Sequence, residues 1–167
     1  MQSNDALARA RVNSCVDTAG PAWILVPGVW MTGFERPRYV AGKLLTADDL
    51  ELEQRYHIEK RWLLNRIFHG PGVVHGLEVS ADTDGIVSVA PGFALDGRGR
   101  EIEVCETTEL PVPGSSDPVS ICVVYAEVET DRGTVRETYE VTAATVVPPD
   151  AVVLAVLAGG ALQAPKA

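Results

Sequence analysis

A chain of 167 residues, 46% hydrophobic and 22% charged, has the balance of an ordinary globular protein, with length for one good core and too little for two. Its net charge of −9, from 23 acidic against 14 basic residues, argues against wrapping nucleic acid or docking on an anionic membrane. No apolar run reaches the ~18 residues of a membrane span, so no direct membrane insertion is expected. The start, Met1 to Asp5, lacks the basic-then-apolar order of a signal peptide, and synthesis in the cytoplasm is expected. Cys15, Cys105 and Cys122 are odd in number and widely spaced, which spells neither a disulfide framework nor a metal knuckle.

Taken in order, residues 1–20 are weakly patterned and are expected to form a mobile or partner-ordered arm. Ala22–Val26 and Val29–Met31 are strand-like, split by Pro27–Gly28, and residues 33–38 read as a loop. One domain is expected over residues 21–158, followed by a loose tail over 159–167.

The stretch from Gly42 to Leu77 organises the rest. Thr46 is placed to cap a helix, with Asp48 and Asp49 in its first turn, where free N–H groups and the dipole favour negative charge. Leu45 and Leu50 have the spacing of a hydrophobic staple. Gly70 supplies a left-handed stop and Pro71 blocks continuation. The helix predicted from Ala47 to Phe68 is about 33 Å long. Leu52, Tyr56, Leu63 and Ile67 form one apolar stripe, widened by Leu50, Leu64 and Phe68, and this face is expected to lie on a sheet.

Ile58 and Trp62 fall on the far side of that helix, among Glu51, Arg55, Glu59, Arg61, Asn65 and Arg66. Two readings of this second patch stay open: the apolar N-terminal segment folds back over it, or it meets another subunit. The basic residues Arg55, Lys60, Arg61 and Arg66 alternate with Glu51, Glu53 and Glu59 at helical spacing, which reads as a solvated, salt-bridged face.

Past the helix the period becomes two. Val73–Val74 and Leu77–Val79 make a first strand with a glycine break at Gly76, and Ile86–Val89 a second. Phe93–Leu95 and Glu101–Val104 flank a tight turn at Asp96–Gly99. Leu110–Pro118 reads as loop, Val119–Val128 as a central strand, and Val135–Val141 and Val152–Leu157 complete the set. The fold class is therefore α+β, mainly β: one long N-terminal helix packed on an antiparallel β-sandwich or curled sheet of six to eight strands.

Little in the sequence carries chemistry. His57 and His69 are about 18 Å apart along the helix, too far to share a metal, and His75 lies beyond the stop. No phosphate loop, nucleophile elbow or paired Cys/His appears, so no catalytic residue, cofactor or metal is assigned. Asp96, Arg98, Arg100 and Glu101 form a charged hairpin tip, most simply turn chemistry. The run Ala94 to Val104 slightly resembles the uracil-pocket hairpin of trimeric dUTPases, which leaves a small-ligand-binding or hydrolytic β-domain as the alternative function. The order here is Gly-Arg-Glu where that family has Arg-Gly-Glu.

A broader likeness covers roughly residues 39–128. Gly42 to Asp49, Glu53 to His57, Arg61 with Leu64–Arg66, and His69 to Val79 are followed by Val89 to Asp96 with Gly99–Ile102, and by Val124–Glu127. This ordered set resembles structural proteins of the baseplate or tail-fibre base in phage tails and phage-tail-like contractile injection systems. The resemblance implies a non-enzymatic subunit that binds other subunits of a tail-like assembly and self-associates, with a trimer favoured, in a particle that is cytoplasmic or released. Many such proteins carry longer C-terminal receptor-binding regions, and the early stop here shifts the expectation toward an adaptor or accessory shell.

Overall fold

The computed structural model describes residues 33–82, 85–112 and 117–165. The arm over residues 1–20, the strand-like pieces at 22–31 and their suggested cover over Ile58 and Trp62 lie outside the described residues. The chain divides into two compact units between His57 and Ile58, inside the helix. Helix α1 runs Ala47–Phe68 over 22 residues, with the bounds predicted for it.

In the first unit the helix is held by its own N-terminal approach. Asp49 N–H donates to Thr46 Oγ1 at 3.2 Å and Thr46 N–H donates back to Asp49 Oδ2 at 3.2 Å, a reciprocal cap. Lys43 Nζ adds an ion pair to Asp49 at 2.6 Å. Tyr39 hydroxyl donates to Glu53, and the Phe34 ring meets the Tyr56 ring edge-on at 6.4 Å. These partners are all local, which is why the first half of the helix groups with residues 33–46. Leu45 and Leu50, at staple spacing, remain 49% and 50% exposed.

The second unit begins with the rest of α1, which ends at Gly70 as predicted. Gly70 takes φ +71° and its N–H, with that of His69, goes to the Asn65 carbonyl at 3.1 and 3.0 Å. Ten strands follow among the described residues: β1 (Gly72–Gly76), β2 (Val79–Ala81), β3 (Ile86–Val89), β4 (Gly92–Leu95), β5 (Glu101–Val104), β6 (Thr108–Pro111), β7 (Val119–Glu129), β8 (Val135–Ala144), β9 (Val152–Ala158) and β10 (Ala161–Gln163). They form three antiparallel sheets, ordered β1-β4-β5, β2-β3-β6 and β10-β9-β7-β8.

The strand count exceeds the six to eight expected, for local reasons. The glycine break at Gly76 separates two strands of different sheets: Gly76 at φ +64° and Leu77 at φ +61° turn the backbone. A Cβ on Gly76 would stand 2.3 Å from the Pro91 carbonyl oxygen. Thr108–Pro111, whose last two residues open the expected Leu110–Pro118 loop, pairs with β3 as an edge strand, where a proline costs no ladder bond. The C-terminal stretch forms β10 on β9 and is not loose over Ala161–Gln163.

All three sheets feed one core. Val87 and Val89, Ala94, Ile102 and Val104, and Ile121, Val123 and Leu154 pack in a single buried cluster with Leu77, Tyr125 and Val152. β7 is internal to its sheet, as its apolar length suggested, and Cys122 on it is fully buried.

The helix covers only part of its expected apolar stripe, with Leu52 and Tyr56 half-buried. Leu63 is its one buried residue, whereas Leu64, Ile67 and Phe68 are exposed, as is Leu50 in the first unit. The face that docks on the sheet-borne hairpin is the polar one, and the reason lies in that hairpin.

Candidate functional site

The Asp96–Glu101 tip joins β4 to β5, and its backbone closes through Gly99 N–H to the Asp96 carbonyl at 3.0 Å and Asp96 N–H to the Arg100 carbonyl at 3.1 Å. Asp96 has no exposed surface. Its Oδ1 accepts the backbone N–H groups of Arg98 and Arg100, both at 2.8 Å, and its Oδ2 pairs with Arg100 Nε at 2.5 Å. A buried carboxylate survives only with such full compensation.

Arg100 in turn lies over the Tyr125 ring, 4.6 Å from its centroid, and reaches Asp150 at 3.6 Å. Asp150 also pairs with Arg98 at 2.7 Å. Tyr125 hydroxyl donates to Glu127 at 2.7 Å. Burial, that hydrogen bond and the nearby Glu137 and Glu127 charges push the Tyr125 phenol well above its ordinary range, against the pull of Arg100. Asp96 is thus neutralised by Arg100, and Arg98 and Arg100 both reach Asp150, while Asp96 has no surface with which to meet a ligand.

The outer side of the tip is a seat for the helix. Asn65 Nδ2 donates to the Gly99 carbonyl at 2.9 Å and to Glu101 Oε1 at 3.2 Å. Arg61 pairs with Glu101 Oε2 at 3.0 Å, and Arg66 donates to the Arg98 carbonyl. The approach is close because Gly99 has no side chain: a Cβ there would stand 2.2 Å from the Trp62 carbonyl oxygen, and Gly99 sits at φ +84°. Polar groups and one missing Cβ therefore decide which helix face is covered.

Of the residues proposed as an interface, Trp62 is half-buried with its backbone against Gly99, and Ile58 is 43% exposed. At about 100° per residue, Leu64 and Ile67 point roughly 200° and 140° around the axis from Trp62, on the side opposite it, whereas Phe68, seven residues after Arg61, lies within about 20° of Arg61 at the margin of the seat. Leu64, Ile67 and Phe68 are 51%, 43% and 74% exposed. Val73 and Val74, just past the helix on edge strand β1, are 46% and 55% exposed. Of the stripe that periodicity marks, Leu63 is buried and Leu52 and Tyr56 are half-buried, whereas Ile67 and the flanking Leu64 and Phe68 are exposed. The glycine at position 99 was the sole local clue to the polar seat.

Among the described residues, no group of three or more His, Cys, Asp or Glu side chains is arranged to hold a metal. No described helix is long and apolar enough to cross a membrane. No protein-family model matches the chain, and no curated protein matches it in sequence.

Proposed function

We propose that the protein is a non-enzymatic structural subunit of a phage-tail-like contractile particle, an adaptor in the baseplate, fibre base or accessory shell that works by protein–protein assembly. The observation that carries this reading is the exposed apolar row of Leu64, Ile67 and Phe68 on the helix. Scattered single apolar residues on a surface need no explanation, but a row at helical spacing marks a surface that another protein covers. The polar face of the same helix is already used within the chain, so the stripe is free for assembly. The internally neutralised tip and the sequence likeness to tail proteins support the same reading. In it, the three sheets around their common core serve as a β-sandwich body, and other particle subunits and further copies of the chain are the partners, with a trimer favoured.

Fractionation of the producing cells tests this directly. Sedimented tail-like particles should contain the chain at fixed stoichiometry, and Phe68→Glu should move it to the unassembled fraction. Finding the wild-type chain only outside particles overturns the proposal.

A further inference from the structure

A second surface lies in the first unit. Residues 36–39 with Glu53, Tyr56 and His57 enclose a cleft of about 600 Å³. Pro37 is buried, and the His57 ring stands edge-on to Tyr56 at 5.2 Å. Glu53, the one carboxylate lining the cleft among the described residues, accepts the Tyr39 hydroxyl. Arg36 and Arg38 are exposed and neither pairs with a carboxylate among the described residues. In a chain of net charge −9 these are two unneutralised guanidiniums at the mouth of a concave site. The planar fork of arginine fits a carboxylate through paired hydrogen bonds, so carboxylates are the chemistry such a mouth selects.

The complementary feature lies on the β7–β8 hairpin. Glu127 and Glu137 are direct partners in its ladder, and like charges directly opposite destabilise a strand pair. Both are exposed, and no cation pairs with either among the described residues. Glu129, two residues on, continues the same side of the strand and is exposed as well.

We propose that the Arg36/Arg38 cleft is a docking site for the Glu127 and Glu137 carboxylates of a second copy of this chain. One contact relieves both imbalances, since each surface carries the charge that the other lacks. Two different patches meet either reciprocally in a two-fold dimer or head to tail, the latter repeating from copy to copy into a ring or a filament. The inference rests on the reading of the protein as an assembly subunit, and adds to the apolar stripe a charged contact that orients neighbours.

Light scattering on the full chain at low and high salt tests it with a charge swap. Arg36→Glu/Arg38→Glu and Glu127→Arg/Glu137→Arg should each self-associate at least about tenfold more weakly than wild type at low salt. An equimolar mixture of the two variants should recover association, because the reversed cleft of one fits the reversed hairpin of the other. Arg36→Gln/Arg38→Gln and Glu137→Gln are milder substitutions that should show the same loss with folding preserved, as judged by circular dichroism. Wild-type association that high salt leaves unchanged overturns the proposal. So does a mixture that stays dissociated, which would mean that the cleft takes some other acidic segment. Association lost in Phe68→Glu but retained in the charge variants would overturn this contact and leave the apolar reading standing.

Discussion

Gly99 is the residue on which the helix seat depends. Adding a methyl group there forces the Trp62 carbonyl away and puts a side chain at a φ that L-residues rarely adopt. Gly99→Ala should cost about 1–3 kcal/mol, read as a lowered denaturation midpoint with an unchanged slope. A variant as stable as wild type would show that the seat carries no weight. Asp96→Asn removes the negative partner of Arg100 at a fully buried position, and a broken buried pair costs about 3–5 kcal/mol. Urea melts should show that loss; a variant within experimental error of wild type would contradict the structural role. Tyr39 offers a pH test. Its hydrogen bond to Glu53, with smaller contributions from desolvation and the Glu53 and Asp49 charges, pushes its phenol up to about 12. Folding therefore favours the neutral phenol: the contribution is intact below the ordinary value near 10 and disappears as pH rises through the folded value. The ultraviolet phenolate titration should contain a component near 12 that falls toward 10 in Glu53→Gln, and an unshifted titration would place Tyr39 elsewhere.

At the scale of elements, what the sequence made legible was whatever depends on near neighbours. Thr46, Asp49 and Gly70 announce the ends of α1 because caps and stops involve residues within about four positions of one another. Thr46→Ala should accordingly cost about 1 kcal/mol, measured by chemical denaturation. Asp49 is held below the usual carboxylate range by Lys43 and by the Thr46 N–H, so the cap persists at neutral pH and weakens as pH falls through that lowered value. The alternation of β5 and the apolar length of β7 were equally local, and both strands stand where expected. β6 and β10 were missed because Pro111 and Gly159–Gly160 are strong breaker signals, and only pairing with β3 and β9 overrides them. The docking face of α1 was misread for a deeper reason. Periodicity tells which residues want burial and is silent on whether the cover comes from the same chain. Here Asn65, Arg61 and Arg66 find carbonyls and a carboxylate some 32 to 40 positions away, and those contacts seat the polar side of the helix on the hairpin.

For the whole molecule, the consequence is a core that draws on all three sheets while Leu64, Ile67 and Phe68 stay exposed among the described residues. The core draws on all three sheets and needs nothing from the stripe, so charge placed on the stripe should leave folding intact while removing assembly. That separation is what distinguishes an interface from a core. The most direct measurement is the solution mass of the purified chain by light scattering over a concentration series, for wild type and for Phe68→Glu. The account predicts a wild-type mass that rises with concentration to a defined oligomer, and a Phe68→Glu variant that stays monomeric with the same melting curve. A wild-type chain that remains monomeric throughout, both alone and with other particle components added, or a variant that assembles like wild type, would contradict it.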